Sequence, residues 1–170
     1  MNTRVDMTHK NTNAQQGFTL IELVMVLVVI SLLSYSGISL FTSQSVYAGY
    51  VAKDVLISQS LLAQQVALGS SGIANPVSLT VSVNSDDDWV FAIQKTGVTN
   101  PDPVIVESSG NGMQVDSVNF SSGDSQTFTW TNTASLSDAA SHTVRFTGQN
   151  NFRVCFSPQG YVYESSVVCP

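Results

Sequence analysis

The sequence predicts an α+β fold: a long N-terminal helix, membrane-spanning in its first half and amphipathic in its second, packed on an antiparallel β-sheet or sandwich domain. Three observations lead there. Phe18 to Phe41 is a 24-residue apolar run with Glu22 as its one charge. No proline interrupts the chain from Phe18 to about Leu68. From Val77 onward the apolar period switches from helical to two. At 170 residues the chain is sized for about one domain. A net charge of −6, with six Lys+Arg against 12 Asp+Glu, leaves no basic face for a polyanion, so no nucleic-acid partner is expected.

The first 17 residues, MNTRVDMTHKNTNAQQG, are polar and carry Arg4 and Lys10 against Asp6. Basic residues ahead of an apolar span hold the N-terminus in the cytoplasm and send the rest of the chain across. As a helix the apolar run is ~36 Å long, enough for a hydrocarbon core of ~30 Å. It is too long for the apolar part of a cleavable signal peptide, and no A-x-A-like site closes it. A plain single-pass anchor and a precursor cut ahead of the run both remain. Glu22 bears on that choice, because a carboxylate among Leu20, Ile21, Leu23 and Val24 is costly in lipid unless it lies at the interface or has a cationic partner.

The junction Gly17-Phe18-Thr19-Leu20-Ile21-Glu22-Leu23 with its apolar sequel resembles the type IV prepilin signature. The resemblance implies cleavage by a prepilin peptidase between Gly17 and Phe18, and methylation of the new Phe18 amino terminus. It also implies that Glu22 pairs with the amino terminus of a neighbouring subunit, where neither charge is comfortable alone. The parts are then a leader at 1–17, a transmembrane or filament-core helix at 18–42, an amphipathic continuation at 43–69, and a periplasmic or extracellular β-domain at 70–170.

The continuous helix from Phe18 to Leu68 is expected to be ~75 Å long. Many members of this family carry a proline partway along it; here Gly37 with its serine neighbours is the weak point. In the second half, Val46, Tyr50, Ile57, Leu61 and Leu68 form one apolar stripe, and Val51, Val55, Leu62 and Val66 form a second, roughly opposite. A helix apolar on two sides has two partners, here the protein's own domain and neighbouring helices, or is buried within a single fold. It ends at Gly69-Ser70-Ser71-Gly72.

Eight short strands are expected: Val77–Val83, Trp89–Ile93, Val104–Val106, Met113–Phe120, Phe128–Trp130, Val144–Phe146, Phe152–Phe156 and Tyr161–Tyr163. Polar or glycine-rich turns separate them. Cys155 and Cys169, 14 positions apart, lie on the side of the membrane where disulfides form. A bridge there would staple the tail to the strand around Phe152–Phe156; two separate buried thiols are the alternative. A disulfide-closed C-terminal loop is common among type IV pilins. Phe152 to Gly160 is similar to the closing strands of GspH/FimT-like minor pilins and pseudopilins. Tyr50 to Leu68 is similar to the C-type minor pilin of the mannose-sensitive haemagglutinin (MSHA) pilus.

Little else carries chemistry. His9 lies in the leader and His142 stands alone. Asp138 near His142, among frequent serines, is no triad. Asp86-Asp87-Asp88 reads as a solvated turn or, alternatively, a calcium loop, which would need six to eight oxygens. No cofactor, metal site or catalytic residue is expected. The tail from Ser157 to Pro170 has no Lys or Arg, against the basic DNA-binding tails of some GspH/FimT-like pilins. The expected function is a non-enzymatic, structural minor subunit of an MSHA-like type IV pilus, held in the inner membrane before assembly and in the pilus afterwards. A minor pseudopilin of type II secretion, in a periplasmic pseudopilus, and a membrane-tethered periplasmic binding domain are the alternatives. The expected partners are the prepilin peptidase and other pilin or pseudopilin subunits.

Overall fold

A computed structural model describes residues 19–41, 44–70 and 76–170, with side chains placed outside 35–44. The chain divides between Phe41 and Thr42 into two units. The first contains α1, Leu20–Phe41. Every described side chain of α1 is exposed, and most of them are apolar. Ser31 and Ser34 donate their hydroxyls to the carbonyls of Leu27 and Ile30 (2.7 and 2.8 Å), so neither presents an unmet polar group. Among the described residues no helix is long and apolar enough to cross a membrane. The expected continuity from Phe18 to Leu68 passes through residues 18 and 42–43, which lie outside the described ones.

The second unit contains α2, Gln44–Leu68, and, among the described residues, nine strands. Four form sheet A in the order β3 (Val104–Val106), β2 (Trp89–Lys95), β1 (Val77–Val83), β6 (Ser125–Trp130). Five form sheet B in the order β5 (Val118–Phe120), β4 (Gly112–Val115), β7 (His142–Thr147), β8 (Phe152–Phe156), β9 (Val162–Glu164). All pairings are antiparallel. In β1 the expected alternation holds: Val77, Leu79, Val81 and Val83 are buried, and Ser78, Thr80 and Ser82 face away. The inner faces meet through aromatic rings. Trp89 of sheet A lies 4.9 Å from Phe146 of sheet B, and Phe128 stacks on Phe156 at 4.3 Å and 14°.

Two expectations are corrected. The run Met113–Phe120 is not one strand but the hairpin β4–β5, because Asp116 and Ser117 take φ of 49° and 70°. Two successive left-handed residues make the tight turn whose twist suits a two-residue hairpin. Neither apolar stripe of α2 is its core face, although Ile57 of the first and Val55 and Val66 of the second are partly buried and pack against the core. Ala48, Ala52, Leu56, Ser60, Ala63 and Ala67 are buried, while Tyr50, Val51, Leu61, Leu62 and Leu68 are exposed. Small side chains let the helix lie close to sheets already filled by Trp89, Phe91, Trp130, Phe146 and Phe156. At Gly49 the approach is close: a Cβ there would meet the Phe152 ring at 3.1 Å. Ser60, mid-face, donates to the Leu56 carbonyl at 2.7 Å and is thereby satisfied. α2 stops where Ser70 bonds back to Val66 through its hydroxyl at 2.6 Å. The expected strands Phe128–Trp130, Val144–Phe146 and Tyr161–Tyr163 lie at 125–130, 142–147 and 162–164.

Candidate functional site

The candidate site is the N-terminal junction. Gly17 and Phe18 lie outside the described residues. Thr19 opens α1 as its cap: the Glu22 amide donates to the Thr19 carbonyl at 3.0 Å and to its hydroxyl at 3.3 Å. Thr19-Leu20-Ile21-Glu22 therefore has capping-box spacing, which puts the Glu22 carboxylate in the first helical turn, where the positive end of the helix dipole favours it. Glu22 is exposed. The cap was readable as T-x-x-E before an apolar run.

Residues 12–34 match the family model described as the prokaryotic N-terminal methylation motif. The chain is type IV pilin-like. The motif implies processing by a prepilin peptidase and assembly with other pilins. No curated protein matches the chain. Among solved structures, this pilin-like chain is similar to the type IV minor pilin FimU of Pseudomonas aeruginosa, with 12% identity and a TM-score of 0.49; the match covers 68% of this chain and 91% of that one.

The pilin-like chain bridges Cys155 to Cys169, with Cα atoms 5.6 Å apart. Cys155 is buried near the C-terminal end of β8, so the bridge pins the tail to sheet B. A second tie comes from Lys53 on α2. Its ammonium lies 2.9 Å from Glu164 of β9 and 3.4 Å from Asp54, over the rings of Phe152 and Tyr50. The hydrogen bond that the ammonium donates to Glu164 outweighs the desolvation that works against it, so its pKa is raised.

Asp86-Asp87-Asp88 closes the β1–β2 hairpin. The Asn84 side chain accepts from the amides of Asp86 (2.9 Å) and Asp88 (2.8 Å), and Asp87 is left-handed. The Asp88 carboxylate accepts from the Ser108 amide at 3.3 Å. Among the described residues no cluster of three His, Cys, Asp or Glu is arranged to hold a metal ion.

His142 does not stand alone. Its Nδ1 lies 2.6 Å from Asp116 and its Nε2 2.6 Å from Asp138. Two carboxylate partners require a proton on each ring nitrogen, so the clamped form is the imidazolium. Asp116 comes from the β4–β5 turn and also accepts from the Thr143 amide at 2.7 Å. Asp138 comes from the β6–β7 loop, and the Phe128 ring meets His142 edge-on at 5.3 Å. Burial opposes the charge on His142, but the two carboxylates outweigh it and raise its pKa above 6.5. Burial likewise opposes ionised Asp138, but the bonds from His142 and the Ala140 amide lower its pKa below 3.8.

The signs follow. The His142 contribution is complete below about 6.5 and is lost as pH rises through its raised value. The Asp138 contribution is complete above about 4 and is lost as pH falls through its lowered value. The domain is therefore expected to lose about 1 kcal/mol, or ~2–4 °C of unfolding midpoint, as pH rises from 6 towards 9, a modest figure because both carboxylates are about half-exposed. Thermal unfolding of His142→Gln checks this: its midpoint should lack that fall.

Proposed function

We propose that the chain is a structural minor subunit of a type IV pilus of the MSHA kind, cut between Gly17 and Phe18, methylated at Phe18 and assembled through its N-terminal helix. The match of residues 12–34 to the methylation motif carries the reading. The exposed apolar surface of α1 supports it, since such a surface is suited to lipid before assembly and to neighbouring helices afterwards. So does the outward face of α2, where Tyr47, Val51, Leu61 and Leu62 remain exposed. Before assembly the chain sits in the inner membrane with its N-terminus cytoplasmic, and Glu22 serves as counter-charge to a neighbour's amino terminus.

Mass spectrometry of the membrane-extracted protein tests the reading. The expected chain begins at methylated Phe18; one that begins at Met1 overturns it. A deletion strain separates pilus from secretion pseudopilus. Loss of filaments supports the pilus, whereas loss of exoprotein secretion with filaments intact assigns the subunit to type II secretion.

A further inference from the structure

We propose that the outer face of sheet B carries an oxyanion site in which Arg145 and Arg153 together grip one carboxylate, sulfate or phosphate group. The two arginines stand directly opposite each other on β7 and β8. Directly opposed residues hold their Cβ atoms ~5 Å apart, and like charges so placed destabilise a sheet. Nothing within the fold relieves the pair: among the described residues neither guanidinium has a hydrogen bond, ion pair or ring contact. The nearby Asp116 is already engaged, one oxygen by the Thr143 amide and the other by His142. Gln114, beside Arg145 on β4, spends its amide on Asn119 at 2.7 Å.

These groups line a groove of about 290 Å³ with Ser117, Thr143 and Val168. That volume is at the small end for ligand pockets and suits one oxyanion group. Val168 belongs to the tail and precedes the bridged Cys169, so the disulfide holds one apolar wall of the groove in place. Guanidinium forks match the paired oxygens of such groups, and two of them converging neutralise a dianion. Two arginines on a chain of charge −6 are a point site, unlike the basic stripe that tracks a nucleic acid. The site does not depend on filament assembly.

The test is thermal unfolding of the full chain in detergent micelles, with millimolar inorganic phosphate or acetate added at constant ionic strength. A tenfold excess over Kd should raise the wild-type midpoint by about 3–5 °C, saturably. The variant Arg145→Gln/Arg153→Gln should start from an equal or higher midpoint and lose the response. A stronger response to acetate assigns a carboxylate; a stronger response to phosphate assigns a phosphate or sulfate ester. Equal responses in wild type and variant, or none in either, overturn the proposal. If the variant does not fold, phenylglyoxal labelling of the wild type decides: phosphate should protect Arg145 and Arg153, and unchanged labelling overturns the site.

Discussion

Glu22→Ala is expected to be cut and methylated normally and to be absent from filaments. The scissile Gly17–Phe18 bond is untouched, and the Thr19 cap that opens α1 uses the Glu22 backbone amide rather than its side chain. What disappears is the carboxylate. In a subunit stack the ammonium of a neighbouring Phe18 would then enter an apolar setting uncompensated, and leaving one charge of a buried pair alone costs ~3–5 kcal/mol. That corresponds to more than a hundredfold loss of assembly. The measurement is the ratio of variant to wild type in sheared filaments, set against equal amounts of processed protein in the membrane. Glu22→Gln separates the charge from the helix-end hydrogen bonding and should fail equally. Wild-type incorporation of either variant would refute the pairing.

Removal of the Cys155–Cys169 bridge should cost the β-domain about 3 kcal/mol, the chain-entropy value for a loop of ~15 residues. Domain stability is ~5–15 kcal/mol, so the loss is large. It should show as a midpoint lower by ~6–12 °C and as proteolysis beyond Tyr163. Cys169→Ser is the cleaner variant, because Cys155 is buried and its replacement also places a hydroxyl in the core. An unchanged midpoint in Cys169→Ser would refute the stapling role.

How much was legible in the sequence depends on what each element buries. The alternation from Val77 to Val83 could be read because one face is large and apolar and the other is Ser and Thr. The bridge could be read because two cysteines allow one pairing. The packing face of α2 could not: a search for bulky apolar residues at helical spacing finds the exposed flanks, whereas the buried line is mostly Ala and Ser. The β4–β5 turn was missed because Asp116-Ser117 lacks the glycine that usually marks two left-handed residues. The clamp on His142 was missed for another reason. Asp138 is four residues away in the chain, but Asp116 is 26 away and reaches the ring only through the β4–β7 pairing. At the N-terminus, the sequence pattern that matches the methylation motif over residues 12–34 also contains the T-x-x-E spacing of the Thr19 cap.

The alanine line of α2 has a consequence for how this protein can change over generations. Alanine has no side-chain rotamers to lose, so docking the helix costs little beyond ordering its backbone. The residues that secure the fold and the residues that face outward are then separate sets on one helix. Leu61, Leu62, Tyr47 and Val51 can drift in size and shape without opening a void beneath, whereas Ala52 or Ala63 cannot grow by a single methyl without lifting the helix from the sheets. Selection on the outward set can therefore follow a changing neighbour while the scaffold stays constant. Descendants of this chain would be expected to diverge fastest on the bulky residues of that helix and slowest on its smallest ones.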